Sequence, residues 1–410
     1  MEEKVEKAEV LEEEPKSSLI GEDAENNYRV WKKNAPYLYD YLSTNSLLWP
    51  SLTVQFFPDI TYPESEIGSD YILQRLLHGT FTLGQSAVDS ISILQVSTYI
   101  DLNKHIQIDK LDYNPDKEEF EINAPSLPKQ KVLQKINQYG DVNKLSYMPQ
   151  NPNVIASANN FGDILIFERT KHKSFQKSII DDMEANKPQL QLNAKAEVFA
   201  MDWNKNREGY LVAGNSKGCV SLYDLKEYSK AQDLDDTKSW QSRGDVNDIE
   251  WFPTHDSLFG SVDEAGDLRV QDIRGEVISK QLSTAANSIA VNPNFSTVLA
   301  TGDSVGSIKV WDLRNFDEPV QSFTPHSKSI TQLKWHPKFA QIIASSSTDC
   351  SVKLHNLSNK EEPTIFQHLG HMLGVNDFDW SCADDWMIAS VADDNSLHVW
   401  KPSQQIQSAI

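Results

Sequence analysis

The run Val298-Leu299-Ala300-Thr301-Gly302-Asp303-Ser304-Val305-Gly306-Ser307-Ile308-Lys309-Val310-Trp311-Asp312-Leu313 decides how this chain folds. It reads as an apolar strand, small residues, a polar turn closed by Gly306, and a second strand in which Ile308, Val310 and Leu313 alternate with polar positions. The same pattern recurs outward in both directions. Tyr147, Trp203, Trp251, Val291, Trp335 and Trp380 fall in one column, and Phe167, Tyr223, Gln271, Trp311, His355 and Trp400 in a second, each pair 20 residues apart. Gly162, Gly218, Gly266 and Gly306 stand five residues before the second column. Successive repeats start 56, 48, 40, 44 and 45 residues apart.

Short alternating strands at a period of about 40–45 residues build blades of four strands arranged in a ring, whereas helical repeats would show a 3.6-residue period. A seventh, divergent repeat fits Tyr71 to Tyr99. The fold class is therefore all-β, a seven-bladed propeller, with blades near 71–100, 139–168, 196–225, 244–274, 285–314, 326–357 and 371–400. Ahead of it the spacing of Tyr28, Trp31, Ala35, Leu38, Tyr39 and Leu42 predicts an α-helix over 23–46, capped by Asp23 and kinked or restarted at Pro36. Residues 1–22 read as an acidic disordered tail, 47–402 as the propeller and 403–410 as a tail; Asn103–Lys131 and Thr170–Ala194 are long polar insertions. A ring has no free edge only if an early strand completes the last blade, and Ser51 to Phe57 is the expected closing strand, pairing with the blade that ends at Trp400.

Charge narrows the function. In 410 residues, 38 Lys and Arg face 59 Asp and Glu, a net charge of −21, which repels phosphate backbones and attracts cationic partners. Direct DNA binding is thus not expected. Three scattered cysteines, Cys219, Cys350 and Cys382, form neither a disulfide framework nor a zinc set. The acidic N-terminus is no signal peptide, and no run of about 18 apolar residues offers a membrane span, so no membrane role is expected. Gly302-x-Ser304-x-Gly306 matches a hydrolase nucleophile elbow, but it lies between two strands of a repeat and reads as a hairpin. His368 and His371 have a spacing that could suit a metal, yet no Cys or carboxylate pattern accompanies them, and both read as structural. No catalytic residue, metal or cofactor is expected.

The sequence resembles WD-repeat proteins through Trp311-Asp312 and Gly370-His371, and is similar along nearly its whole length to the retinoblastoma-binding histone chaperones. The stretches that carry this are Trp31-Lys32-Lys33-Asn34, Leu38-Tyr39-Asp40, Trp49-Pro50-Ser51-Leu52-Thr53, Tyr147-Met148-Pro149-Gln150-Asn151-Pro152, Ser257-Leu258-Phe259-Gly260-Ser261 and Trp311-Asp312-Leu313-Arg314-Asn315. Phe56-Phe57-Pro58-Asp59 and Gly370 to Asp377 resemble in particular the small subunits of fungal chromatin assembly factor 1.

The resemblance implies a non-catalytic histone-binding scaffold for nucleosome assembly. Its implied partners are histones H3 and H4 and the larger subunits of chromatin assembly factor 1, and its implied place is the nucleus, with room for a cytoplasmic pool. It further implies a groove for the first helix of histone H4, made by Tyr37, Leu38 and Tyr41 with Glu361, Glu362 and Ile365 of the loop after Leu357. That loop lacks the Asp-Gly-Pro-Pro run of longer relatives, so a shallower groove is expected. A top-face site for an extended basic tail, such as that of H3, would use Phe81, Asp141, Asn143, Glu197, Phe199, Asn287 and Asp393. Leu48, Asn247, Ser329 and Thr331 stand there in place of carboxylates or an aromatic. The alternatives are a histone-binding subunit of an acetyltransferase or deacetylase complex, or a propeller adaptor outside chromatin.

Overall fold

In a computed structural model, which describes residues 22–62, 71–85, 88–100, 112–114, 119–121, 127–128, 130–174, 184–227, 233–275 and 277–407, the chain is a seven-bladed β-propeller preceded by a helix. Residues 1–21 and 408–410 of the expected tails lie outside the described residues.

The first blade comprises Val54–Thr61, Tyr71–Gly79, Asp89–Tyr99 and Lys131–Gln138, so it is broader than the span 71–100. Five further antiparallel blades follow in chain order. The second gains a fifth strand, Asp233–Leu234, which pairs parallel with Leu190–Asn193. The turn glycines named above have φ between +75° and +90°, a region closed to most side chains, and Cys350 and Asn395 occupy it in the last two blades.

The two columns have distinct tasks. In the first, the indole N–H of Trp203, Trp251, Trp335 and Trp380 donates to a backbone carbonyl of the preceding blade: Ser146, Asp202, Ala290 and Lys334 respectively. In the second, Trp311 and Trp400 donate within their own blade, to Thr301 Oγ1 and Ser390 Oγ. Burial of the aromatic body supplies the packing, and the N–H fixes blade against blade.

Each innermost strand is an edge whose backbone N–H groups would be orphaned in the central channel. Side chains of the neighbouring blade satisfy them. Asp202 accepts from the Trp251 amide at 2.8 Å, Glu250 from Val291 at 2.7 Å, Asp248 from Ile289 at 3.0 Å, and Asp377 and Asp379 from Val54 and Phe56 at 3.1 and 2.8 Å. Asp377 and Asp379 therefore join the last blade to the first.

Two expectations are corrected here. The helix, α1, spans Glu22–Leu38 instead of 23–46; it passes through Pro36 and stops two residues later, so the lost hydrogen bond falls in its last turn. Tyr39–Ser46 is strand β1, which pairs antiparallel with Ser396–Pro402 as the outer strand of the seventh blade. β1, not Ser51–Phe57, closes the ring. Ser43-Thr44-Asn45-Ser46 is a poor helix former, and the seventh blade offers three strands from Val375 onward with an open outer edge. Phe56 and Phe57 are instead buried in the first blade.

Candidate functional site

α1 is held to the propeller by one deeply packed residue. Trp31 is 4% exposed; its indole N–H donates to the Tyr39 hydroxyl at 2.7 Å, and that hydroxyl is hydrogen-bonded to His368 Nδ1 at 2.7 Å. His368 Nε2 meets His398 Nδ1 at 3.0 Å. Burial keeps both histidines neutral, with pKa values well below the ordinary one, and the neighbouring rings add to this. Gly370 makes room for the indole: a Cβ there would lie 2.7 Å from Trp31 Cζ2.

Around this anchor Tyr28, Ala35 and Leu38 of α1 pack on the same apolar cluster as Leu42, Phe339, Ile365 and Ile406. The Leu38 carbonyl accepts from the Ser403 amide at 2.9 Å, which seats the short helical turn Gln404–Gln407 on the end of α1. Tyr37 is 50% exposed beside Leu38. Glu361 and Glu362 are exposed on the loop that leads into Thr364–His368, the strand carrying Ile365. Both of their amides donate to Asn359 Oδ1, at 3.3 and 3.2 Å. The structure thus brings Leu38 and Ile365 together, with Tyr37 and two carboxylates on exposed margins.

Tyr41 does not join them. A β-bulge between Tyr39 and Tyr41 turns the two onto opposite faces of β1, so Tyr39 and Leu42 face the helix while Tyr41 packs toward the first blade. Its hydroxyl donates to the Ser97 carbonyl at 2.7 Å, and burial pushes its phenol up to about 12. The sequence reading missed the hairpin Asp112–Asn114/Glu119–Glu121, part of a polar insertion, which lies beside α1. Its acidic composition was the available signal.

The top-face residues divide differently from the expectation. Asp141 is buried and accepts from the Thr82 and Leu83 amides, both at 2.9 Å, so it shapes the loop bearing half-buried Phe81 and is not a free acceptor. Asn143 is buried too, donating to Glu197 Oε1 at 3.0 Å and to the Val198 carbonyl of the next blade. Asn143 is one of a belt: Asn247, Asn287, Thr331 and Asn376 each donate to the next blade's carbonyl, at Ala286, Ile330, Val375 and Ser51. Asn287 is therefore a staple between blades, as are Asn247 and Thr331. Phe199 at 43% exposure, Asp393 and the half-buried Glu197 remain accessible, as does Leu48 at 86%.

Neither catalytic candidate gains support from its surroundings. Ser304 sits exposed in a hairpin turn between Val298–Asp303 and Ile308–Asp312, with no His paired to it among the described residues. His368, His371 and His398 cluster closely, but His371 stacks on His398 at 4.2 Å and 16°, so their in-plane lone pairs cannot converge on one ion. Both His371 nitrogens are already hydrogen-bonded, to Ser396 and Ser390 hydroxyls. His326 repeats the arrangement one blade earlier with Ser345 and Asp349, which marks it as a device of the repeat.

The central channel, of about 370 Å³, is lined by Lys144, Lys205 and Lys334 and by the carboxylates that bridge the blades. Burial raises Asp202 to about 6 and Glu250 to about 7. Burial alone would lower Lys334, but Asp377 at 3.3 Å and Asp379 at 3.2 Å outweigh it and raise its pKa.

Comparison with known proteins agrees with this architecture. Residues 26–99, which include α1 from its second turn, β1 and the first strands of the first blade, match the family described as the histone-binding protein RBBP4 or the corresponding member of the CAF1 complex. Residues 317–356 and 363–401 match the WD domain, G-beta repeat. The histone-binding protein MSI1 of Saccharomyces cerevisiae is 35% identical over 422 aligned positions, covering 94% of this chain and 96% of the yeast protein. With that likeness running almost its full length, the chain belongs to the RBBP4/MSI1 family of histone-binding WD-repeat propellers.

Proposed function

We propose that the protein is a non-catalytic scaffold that takes the first helix of histone H4 between α1 and the loop before Ile365, and delivers H3 and H4 for nucleosome assembly in the nucleus alongside the larger subunits of chromatin assembly factor 1. The observation that carries this reading is the docked α1. The ring is closed by β1 alone, so the helix is surplus to the propeller, yet it is pinned by Trp31 and leaves Tyr37 exposed beside the Leu38–Ile365 cluster. An amphipathic basic helix would cover that apolar strip while Glu361 and Glu362 meet its Lys and Arg side chains. The net charge of −21 adds long-range steering of histones that weakens with salt. Tail binding on the top face would rest on Phe199, Glu197 and Asp393, since Asp141, Asn143 and Asn287 serve the propeller itself.

The test is binding of a peptide spanning the first helix of H4. Charge reversal of Glu361 and Glu362 to Lys should weaken it by roughly tenfold or more at low salt, as should Leu38→Asp. The carboxylates carry no contact to the propeller core, so the reversed pair keeps its melting temperature; unchanged affinity in that variant would remove the groove from the account.

A further inference from the structure

The loop that supplies the acidic margin carries a feature the groove does not use. Its sequence, Leu357-Ser358-Asn359-Lys360-Glu361-Glu362, puts carboxylates three and four residues after a serine. Ser358 is exposed, and its hydroxyl has no partner among the described residues, whereas its amide is fixed to Asn356 Oδ1 at 3.0 Å. Kinases that select acceptors by charge pair basic pockets with carboxylates displaced along the substrate. Serines with the same spacing elsewhere in the ring, such as Ser221, Ser261, Ser346 and Ser390, are buried within blades and closed to any enzyme. The loop itself can open: the amides of Glu361 and Glu362 are held only by Asn359 Oδ1, and Ser358 to Glu362 are all exposed.

We propose that Ser358 is a phosphorylation site for an acid-directed serine kinase, and that the phosphate tightens the grip of the groove on a cationic helix. The donor is a nucleoside triphosphate held by the kinase. The Ser358 Oγ–P bond forms as the bond from the γ-phosphorus to the nucleoside diphosphate breaks, and the hydroxyl proton passes to the kinase's base. The product raises the loop from a net −1, from Glu361, Glu362 and Lys360, to about −3. At roughly 7–10 Å through water, two added charges strengthen binding by about threefold to tenfold in 50 mM salt and by less than about twofold in 0.5 M salt. This consequence rests on the groove reading; the site itself does not.

Full-length protein, its Ser358→Ala variant and its Glu361→Gln/Glu362→Gln variant are treated with a recombinant acid-directed kinase and ATP, and the phosphate is mapped by mass spectrometry. The expected result is phosphate on Ser358, absent from the alanine variant and sharply reduced in the double glutamine variant. No phosphate on Ser358 while a control acidic peptide is modified overturns the site, as does equal modification of the double glutamine variant. Titration of the H4 first-helix peptide against modified and unmodified protein decides the rest. Affinity that rises at low salt upholds the regulation, and equal affinity overturns it. If the unmodified protein does not bind the peptide at all, the groove and its regulation both fall, and the mapping alone still upholds or overturns the site.

Discussion

Gly370→Ala should loosen α1 without opening the propeller. The added Cβ would stand 2.7 and 2.8 Å from Trp31 Cζ2 and Cη2 and 2.9 Å from His368 Cε1, well inside contact distance. The glycine's φ lies outside the left-handed region, so alanine meets no backbone strain and the whole effect is steric. Overfilling a packed site costs about 1–3 kcal/mol. The softest response is for the helix to lift, because Trp31 is its one fully buried side chain of described burial, whereas His368 is embedded in the sixth blade. At about 2 kcal/mol the docked population falls by roughly thirtyfold relative to the open one. Hydrogen exchange reads this directly: amides of residues 28–38 should lose about thirtyfold in protection, while those of Ile342–Ser347 in the sixth blade keep theirs. Trp31→Phe removes the two indole carbons that the new methyl strikes, so the double variant should show a coupling of about 1 kcal/mol or more. Unchanged protection of α1 in Gly370→Ala, or strict additivity with Trp31→Phe, would refute the claim that this one contact seats the helix.

The channel carboxyls predict a pH dependence. Asp202 at about 6 and Glu250 at about 7 hold protons in the folded state that the unfolded chain releases near 4, so the folded protein binds more protons between about pH 4 and 7 and its stability falls as pH rises through that window. The effect is on the order of 3 kcal/mol per carboxyl, and Asp202→Asn with Glu250→Gln, which keep the acceptor oxygens, should flatten that part of the denaturation profile. Asp379→Ala leaves the Phe56 amide orphaned and Lys334 short of a partner; a loss of about 2–5 kcal/mol in urea unfolding is expected, with a smaller loss if Lys334→Met is added. Asn376→Ala removes the staple to the Ser51 carbonyl beside the ring closure and should cost about 1–2 kcal/mol by the same measurement. Ser304→Ala, in an exposed turn, should change thermal stability by less than about 0.5 kcal/mol and leave histone binding intact, which a nucleophile in a working site would not permit.

What could be read from the linear chain followed from repetition. The aromatic columns and turn glycines state the same local problem several times over, and a pattern repeated across the chain averages out the noise of any one blade. Ring closure was harder, because Tyr39–Ser46 occurs once and its partner strand lies roughly 350 residues away. A helical spacing that ran through Leu42 concealed the change to β1. The bulge that separates Tyr39 from Tyr41 leaves no mark in residue type, so the groove was drawn with one aromatic too many.

The top face shows the same division. Asn143, Asn287 and Asp141 carry side chains that could grip a peptide, and nothing local distinguishes an amide aimed at solvent from one aimed at the next blade's carbonyl. Seven alternating repeats, an acidic surface and a helix outside the repeat were legible in the order of residues, since each depends on local pattern or summed charge. The tertiary structure alone decided which strand completes the last blade, which polar groups are spent holding blades together, and which side of β1 each tyrosine takes, because those depend on the neighbour that each edge and each buried polar atom finds in space.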